Sequence, residues 1–323
     1  MRYVLIVLKA GISIGLVAWL LSAIELANVW DTLRSASPSA VALAIISLAF
    51  GSVLVTVRWR AIAAAVGLVV GFRTALALTF VGNFFSQVLP STVGGDGVRL
   101  LLLYRRRHSL ANAAFSLLFD RAVGLGALVV LMGLTLPAFL RLVPAGNART
   151  SMVAVIGLGL AGMLGCALLA WLLLRFPALR ALPLLRQLVA MAAPGGAHLD
   201  APVRTVTVVV GTALIVHLAT VVAVSALANG LGVPLPFVHC LVLVPPVVLI
   251  SGLPLSIAGW GLREGAMVVA LGFAGVEAAQ ALVISLLLGL CLIAVSLPGG
   301  VLVWSNKGAR KAGELHPAAP PVA

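Results

Sequence analysis

Long apolar runs separated by short polar segments extend along almost the whole chain. Six runs are about twenty residues or longer, which is the length that an α-helix needs to cross the hydrocarbon core of a bilayer. These runs occupy residues 4–24, 38–57, 109–140, 150–174, 203–229 and 277–304. The pattern therefore predicts an all-α polytopic membrane protein with six full spans.

Two further apolar segments, 74–104 and 236–275, are interrupted by Pro and Gly. The first is too short for two spans of about twenty residues plus a turn. We therefore expect it to enter and leave the membrane on one side, as a re-entrant hairpin of broken helices. Segment 236–275 carries a similar interruption and is interpreted in the same way.

The composition agrees with a single integral membrane domain over residues 1–323. Hydrophobic residues make up 62% of the chain and charged residues only 9%, whereas about a quarter of a soluble domain is charged. Cys166, Cys240 and Cys291 lie singly in apolar runs, and neither His nor Cys occurs at metal-ligand spacing. Since the sequence also has no phosphate-binding G-x-x-x-x-G-K-[ST] motif, it predicts no metal, no cofactor and no ATP-driven transport.

The net charge of +13 is distributed as the positive-inside rule expects of this topology. The basic residues of the predicted outside segments are Arg34, Arg141 and Arg149, and those at membrane depth are Lys9, Arg99, Arg121 and Arg263. The other fourteen lie in predicted inside segments: Arg2, Arg58, Arg60, Arg73, Arg105, Arg106, Arg107, Arg175, Arg180, Arg186, Arg204, Lys307, Arg310 and Lys311. This asymmetry predicts cytoplasmic termini. It also indicates that the basic residues orient the protein in the membrane and do not form a nucleic-acid-binding surface.

The ends of the chain and its longest loop are less regular. Residues 1–36 resemble a signal peptide, but Lys9 interrupts the apolar run and no clear A-x-A site follows, so we predict a retained first span and loop. Residues 141–201 hold a linking span and a loop whose Arg and Leu spacing predicts an amphipathic helix at the cytoplasmic surface. Residues 305–323 are predicted to form a basic, Pro/Ala-rich cytoplasmic tail.

An internal repeat connects the two interrupted segments. The stretch LPSTVGGDGVR, which begins at Leu89, aligns with LPLSIAGWGLR, which begins at Leu253, without a gap and at an offset of 164 residues. The same offset carries the second span onto the fifth span and the third span onto the sixth. The chain therefore divides into repeat A (37–140, with hairpin 74–104) and repeat B (202–304, with hairpin 236–275).

The orientation of the two repeats follows from the spans between them. Three full spans separate the hairpins, so we expect the hairpins to enter the membrane from opposite faces. Inverted repeats with broken helices are the architecture of many secondary transporters, whose substrate site lies between the repeats near the middle of the membrane. The repeat therefore directs attention to the two breaks as a paired site.

Each break has the features of an anion-binding turn. Pro90 ends the first helix, and a helix that restarts near Gly95 would direct its free N–H groups and positive dipole end into the break, close to Arg99. The predicted substrate-binding residues of the first break are Ser91, Thr92, Gly94, Gly95, Asp96 and Arg99. Those of the second break, expected in the same arrangement, are Ser256, Gly259, Arg263 and Glu264.

Asp120 and Arg121 place two more charges inside a predicted span. Each charge at the centre of a membrane helix costs about 2.5–3.5 kcal/mol on insertion scales, so we expect both side chains to face the bundle interior and to pair with the hairpin charges. Two interpretations stay open for this group. It is either part of a binding and ion-coupling site, or a buried ion network that locks the helices together.

The paired stretches LPSTVGGDGVR and LPLSIAGWGLRE, about 160 residues apart, resemble the transmembrane region of lysylphosphatidylglycerol synthases. The chain is also similar to the flippase half of the bacterial multiple peptide resistance factor, which moves aminoacylated phospholipid between leaflets. The resemblance implies a bacterial or archaeal cytoplasmic membrane, of which we predict the bacterial one, and a lipid substrate. It also implies functional roles for the Gly, Asp, Arg and Glu residues of the two breaks and for Asp120 and Arg121.

Two departures limit what the resemblance implies. The sequence to Ala323 shows no aminoacyltransferase domain, so we do not expect lysylphosphatidylglycerol synthesis or other enzymatic activity. Repeat B also has no charge where repeat A has Asp120 and Arg121, so the site is expected to be asymmetric.

The sequence thus predicts a flippase that moves an anionic or headgroup-bearing lipid by alternating access, with Asp96, Asp120 or Glu264 as proton carriers if movement is coupled to a gradient. Two alternatives stay open. One is a membrane enzyme acting on a lipid phosphate, and the other is a non-transporting scaffold of cell-envelope lipid synthesis. A second copy of the chain and a cell-envelope enzyme are the open partner classes, and no nucleic-acid partner is expected.

Overall fold

The computed structural model describes residues 34–89, 94–106, 108–175, 203–253 and 258–313, together with Thr32 and Ser256. Every regular element among these residues is a helix. The helices are α1 (Pro38–Ala65), α2 (Phe72–Val88), α3 (Gly94–Arg105), α4 (Leu110–Leu142), α5 (Asn147–Arg175), α6 (Val203–Gly230), α7 (Phe237–Ser251), α8 (Leu262–Gly272) and α9 (Ala278–Gly313).

Five of these helices are long and apolar enough to cross a membrane. They are α1, α4, α5, α6 and α9, and they coincide with five of the six predicted spans. The prediction of an all-α, multi-pass membrane protein is therefore confirmed. The first predicted span (4–24), the cytoplasmic amphipathic loop and the end of the tail (314–323) lie outside the described residues.

The two interrupted segments form pairs of short helices, as predicted. In the first pair α2 ends at Val88 and α3 begins at Gly94. In the second pair α7 ends at Ser251 and α8 begins at Leu262. Each of the four helices is shorter than the roughly twenty residues that a full span requires.

The packing of the described helices repeats along the chain. Helix α1 lies along α6. If α1, α2, α3 and α4 are exchanged with α6, α7, α8 and α9 in that order, each pair of contacting helices among these eight becomes a contacting pair. For example, α2 contacts α9 as α7 contacts α4, and α2 contacts α3 as α7 contacts α8. Helix order and helix packing therefore follow the same division as the sequence repeat, with α5 as an additional helix that packs against α4.

Glycines allow α2 to pack closely against two neighbours. A Cβ atom at Gly95 would overlap the carbonyl oxygen of Gly82, and one at Gly299 would overlap the carbonyl oxygen of Phe80. Small residues that let backbones approach are the usual means of packing helices in a membrane, where lipid is as apolar as the side chains. The first hairpin is thereby held against α9 of repeat B.

Apolar side chains occur both inside and outside the bundle. The largest buried cluster joins α6, α7, α8 and α9, and a smaller one around Trp59 and Leu103 joins α1, α2, α3 and α4. Many large apolar side chains face outward, such as Ile46 of α1, Leu134 of α4 and Leu158 of α5. An exposed apolar surface of this extent is typical of contact with lipid.

One predicted boundary is wrong. We expected the second span to end at residue 57 and Arg58 to lie in an inside loop, but α1 continues to Ala65 and the Arg58 side chain is buried. The helix continues because an acid on α4 neutralises this charge. Arg58 therefore belongs to the bundle interior, and it is not part of the positive-inside signal.

Candidate functional site

A cavity of about 320 Å³ lies between the two helix breaks. Its polar lining consists of Ser52 of α1, Asn83, Ser86 and Gln87 of α2, Arg121 of α4 and Thr220 of α6. Gly252 and Ala258 of the second break complete one wall, so both repeats contribute to it. A polar cavity inside an apolar helical bundle is a candidate binding site, because polar side chains at membrane depth are retained mainly where they have a function.

Arg58 and Asp120 form a buried ion pair between α1 and α4. The Arg58 Nε atom donates to one Asp120 carboxylate oxygen at 2.7 Å, and the Nη2 atom donates to the other at 3.1 Å. This two-point geometry is the strong form of an arginine–carboxylate pair. We expected Asp120 to pair with the hairpin charges, and that expectation is wrong, because Arg58 satisfies both of its oxygens.

Asp96 bridges two arginines beside the cavity. Its Oδ2 atom accepts from Arg121 Nε at 2.6 Å, and its Oδ1 atom accepts from Arg99 Nη1 at 3.3 Å. The predicted pairing of Asp96 with Arg99, and of Arg121 with a hairpin charge, is therefore confirmed. Arg121 is 56% exposed and lines the cavity, whereas Arg99 is 6% exposed and lies behind it.

Arg99 is buried and contacts residues of the first repeat. Its guanidinium carbon lies 4.4 Å from the centre of the Trp59 ring, a cation–π contact. Gly82 leaves room for its side chain, since a Cβ there would lie 2.6 Å from Arg99 Cδ. The Nε and Nη2 atoms of Arg99 are buried and have no hydrogen-bond partner among the described residues. One edge of the guanidinium is thus enclosed but unsatisfied.

Arg263 in the second break has more partners than Arg99. Its Nη2 atom donates to Glu264 Oε1 at 2.6 Å, and its Nε atom contacts both Glu264 Oε1 and Ser285 Oγ. Its guanidinium carbon lies 4.7 Å from the centre of the Trp260 ring. The backbone N–H of Gly261 donates to Glu264 Oε2 at 2.6 Å, so this carboxylate also caps α8. Arg263 is satisfied within its own repeat.

The two breaks do not have the same arrangement, contrary to the prediction. Helix α3 already begins at Gly94, whereas its counterpart α8 begins only at Leu262, which aligns with Val98. Ala258, Gly259 and Gly261 have φ angles of 50°, 81° and 85°, in the left-handed region that excludes them from a helix. The second turn is therefore longer, and Arg263 lies nearer the start of its helix than Arg99 does.

The remaining predicted residues are distributed as follows. Gly94 and Gly95 form the first turn of α3, and Gly259 lies in the left-handed turn before α8. The Ser256 hydroxyl is buried without a hydrogen-bond partner among the described residues. Ser91 and Thr92 lie outside the described residues.

Sequence reasoning missed three residues of these clusters: Arg58, Trp59 and Ser285. Arg58 and Trp59 come from α1, outside the repeated motif, and Ser285 aligns with Arg121 at the 164-residue offset. The repeat alignment could therefore have indicated Ser285 as the neighbour of Glu264. No local signal links Arg58 to Asp120, which is 62 residues away.

The helices and this cavity with its polar side chains define a multi-pass membrane protein with a candidate binding site between two broken helices. Comparison with family models identifies the class further. The model described as the lysylphosphatidylglycerol synthase TM region matches residues 6–300. The chain therefore belongs to the lysylphosphatidylglycerol synthase transmembrane-region family, as its two motifs indicated. No curated protein and no solved structure matches the chain.

Proposed function

We propose that the protein is a lipid flippase, which moves an anionic or headgroup-bearing lipid across the bacterial cytoplasmic membrane. The observation that carries this proposal is the polar cavity between the two breaks, which both repeats line. The headgroup would enter the cavity while the acyl or prenyl tails stay in the bilayer. The outward-facing apolar side chains of the surrounding helices suit the passage of such tails.

Alternating access in this proposal rests on an inverted repeat of six spans and two re-entrant hairpins. The symmetric helix packing, the 164-residue offset and the positive-inside distribution all support this topology. Two structurally similar repeats on either side of one cavity can exchange roles, so that the cavity opens to one face of the membrane and then to the other. Both termini lie in the cytoplasm in this topology.

The proposed activity is transport without chemical conversion of the lipid. The three carboxylates of the two breaks and α4, which are Asp96, Asp120 and Glu264, are each engaged by at least one arginine. A general acid or base needs a carboxylate that can exchange a proton with substrate. The ion pairs favour structural and electrostatic roles for these acids over catalysis.

Lipid scrambling in proteoliposomes tests the proposal, with purified wild-type protein, Arg121→Gln and Arg141→Gln at matched protein content. Arg121 lines the cavity, whereas Arg141 is exposed at the other end of the same helix, so it controls for loss of a positive charge on α4. We expect the wild type and Arg141→Gln to move an anionic fluorescent lipid well above protein-free liposomes. Arg121→Gln should lose most of this activity.

The scaffold alternative predicts a different result. Wild-type scrambling no faster than in protein-free liposomes, for anionic, prenyl-linked and glycosylated lipids alike, would contradict the flippase proposal. If the Arg121→Gln protein scrambles lipid as fast as the Arg141→Gln protein, lipid does not pass through this cavity.

A further inference from the structure

We propose that Arg99 and Arg121 form a binding site for the phosphate diester of a phospholipid whose headgroup carries no positive charge, so that the ligand is a monoanion, and that Asp96 is the internal counter-ion that this ligand displaces. The inference rests on the proposed function and specifies its substrate class. Three observations support it: the charge of the cluster, the unsatisfied edge of Arg99 and the exposure of Arg121.

The charges beside the cavity do not balance. Arg58, Arg99 and Arg121 carry three positive charges, and Asp96 and Asp120 carry two negative charges. Both Asp120 oxygens accept from Arg58, and Asp96 is the described carboxylate that pairs with Arg99 and Arg121. The described side chains of this cluster therefore carry one net positive charge at membrane depth, where charges are usually compensated. A single monoanion would neutralise it.

The unsatisfied edge of Arg99 shows where such an anion would bind. The Nε and Nη2 atoms are the two parallel donors with which arginine binds a phosphate or carboxylate at two points. Both are buried without a hydrogen-bond partner among the described residues. A buried donor that lacks a partner is unfavourable, so an anion at this edge would satisfy two donors at once. Trp59 covers one face of the guanidinium and fixes its plane.

Arg121 provides the route from the cavity to Arg99. It is the member of the cluster that lines the cavity and is largely exposed, and the Asp96 carboxylate joins it to Arg99. An anionic headgroup that enters the cavity therefore meets Arg121 first and competes with Asp96 for it. Release of Asp96 from the arginines then lets the ligand reach the donors of Arg99.

The second break does not offer an equivalent site. Arg263 and Glu264 balance each other, and Ser285 and Trp260 complete the contacts of the guanidinium. Arg263 is therefore a structural residue of α8, and anion recognition belongs to the first break alone. The asymmetry expected from the uncharged counterparts of Asp120 and Arg121 thus extends to the arginines of the two breaks.

Competition between short-chain lipids tests the site without requiring transport. Detergent-purified protein is mixed with equimolar dihexanoyl phosphatidylglycerol, phosphatidic acid and phosphatidylcholine. Phosphatidylglycerol carries a phosphate diester and no positive charge, phosphatidic acid carries a phosphate monoester, and phosphatidylcholine carries a diester whose charge its own ammonium group balances. The bound lipids are quantified by native mass spectrometry, and inorganic phosphate is added in a parallel sample. We expect the wild type to bind phosphatidylglycerol about tenfold more than phosphatidylcholine.

Asp96→Asn is the informative variant, because it keeps the shape of the side chain and raises the surplus to two positive charges. We expect it to bind anionic lipid about tenfold more tightly and to shift preference toward the phosphate monoester, whose charge approaches −2. Arg121→Gln should lose the preference for anionic lipid, and Arg141→Gln should retain it. Elution as a single monodisperse species establishes that each variant is folded.

Three results would overturn the inference: equal binding of phosphatidylglycerol and phosphatidylcholine by the wild type, unchanged selectivity in Asp96→Asn, or displacement of the lipid by an equimolar amount of inorganic phosphate. The test is separable from that of the proposed function. Anion-selective binding without scrambling contradicts the flippase and leaves this site standing, whereas scrambling without anion selectivity contradicts this site alone.

Discussion

Asp96 and Arg99 lie three residues apart in α3, and their ion pair is one that helical spacing alone predicts. Arg58 and Asp120 are joined across 62 residues, and only the packing of α1 against α4 brings them together. The sequence could therefore identify which charges lie at membrane depth, but it could not assign their partners. These partners matter for function, because Arg99 has two buried donors without a partner among the described residues, whereas the Nε and Nη2 atoms of Arg263 are both hydrogen-bonded.

The Arg58–Asp120 pair is expected to be a major contribution to stability. Arg58→Gln or Asp120→Asn leaves one buried charge without its partner, and such losses cost about 3–5 kcal/mol. The free energy of unfolding in detergent, measured by denaturant titration, should fall by about this amount in each single variant. Replacement of both residues by leucine should recover most of the loss.

Arg141→Gln serves as the control, since an exposed substitution on the same helix should change the free energy of unfolding by no more than about 0.5 kcal/mol. A loss below about 1 kcal/mol in both Arg58→Gln and Asp120→Asn would show that the pair does not lock α1 to α4.

At the scale of elements, Pro and Gly in an apolar segment were sufficient to predict the two pairs of short helices. They could not predict that α8 begins four aligned positions later than α3. That difference depends on the left-handed backbone at Ala258, Gly259 and Gly261, and on the Glu264 carboxylate that caps the helix start. Aligned motifs therefore gave the position of each break but not its conformation.

The close packing of α3 on α2 gives a prediction with a control in the same helix. Gly95→Ala should destabilise the protein by about 1–3 kcal/mol, since its methyl group meets the backbone of Gly82, which cannot move without shifting α2. A methyl group at position 97 would point into open space, and Gly97→Ala removes a flexible residue from a helix. This variant should therefore leave the stability of the protein unchanged or raise it by up to about 1 kcal/mol.

Denaturant titration of both glycine variants checks this expectation. Equal stability of Gly95→Ala and Gly97→Ala would contradict the backbone contact that fixes the first hairpin.

At the scale of the whole molecule, the order of the five described long helices, the two breaks and the family all followed from the sequence. Apolar length alone identifies a span, and a repeat at constant offset identifies the related halves. The cavity did not follow, because its lining comes from five helices and the second break, and much of that lining is apolar and carries no local signal. Its size and polarity depend on how α1 lies along α6, which no local pattern specifies.

A reversible crosslink between the repeats tests alternating access at this scale. Gly51 of α1 and Ala219 of α6 both line the cavity, and a Cβ built at Gly51 lies 3.8 Å from Ala219 Cβ. This separation matches the roughly 3.8 Å typical of a disulfide. The variant carries Gly51→Cys and Ala219→Cys in a protein whose Cys166, Cys240 and Cys291 are replaced by alanine. The two new cysteines should therefore oxidise readily and join the two repeats at the wall of the cavity.

Scrambling of an anionic fluorescent lipid is then measured on the same proteoliposomes before and after reduction, with each single-cysteine variant as a control. If the repeats move against each other to carry lipid through the cavity, the oxidised protein is inactive and reduction restores the rate of the single variants. Undiminished scrambling by fully crosslinked protein would contradict transport through this cavity by movement of one repeat against the other.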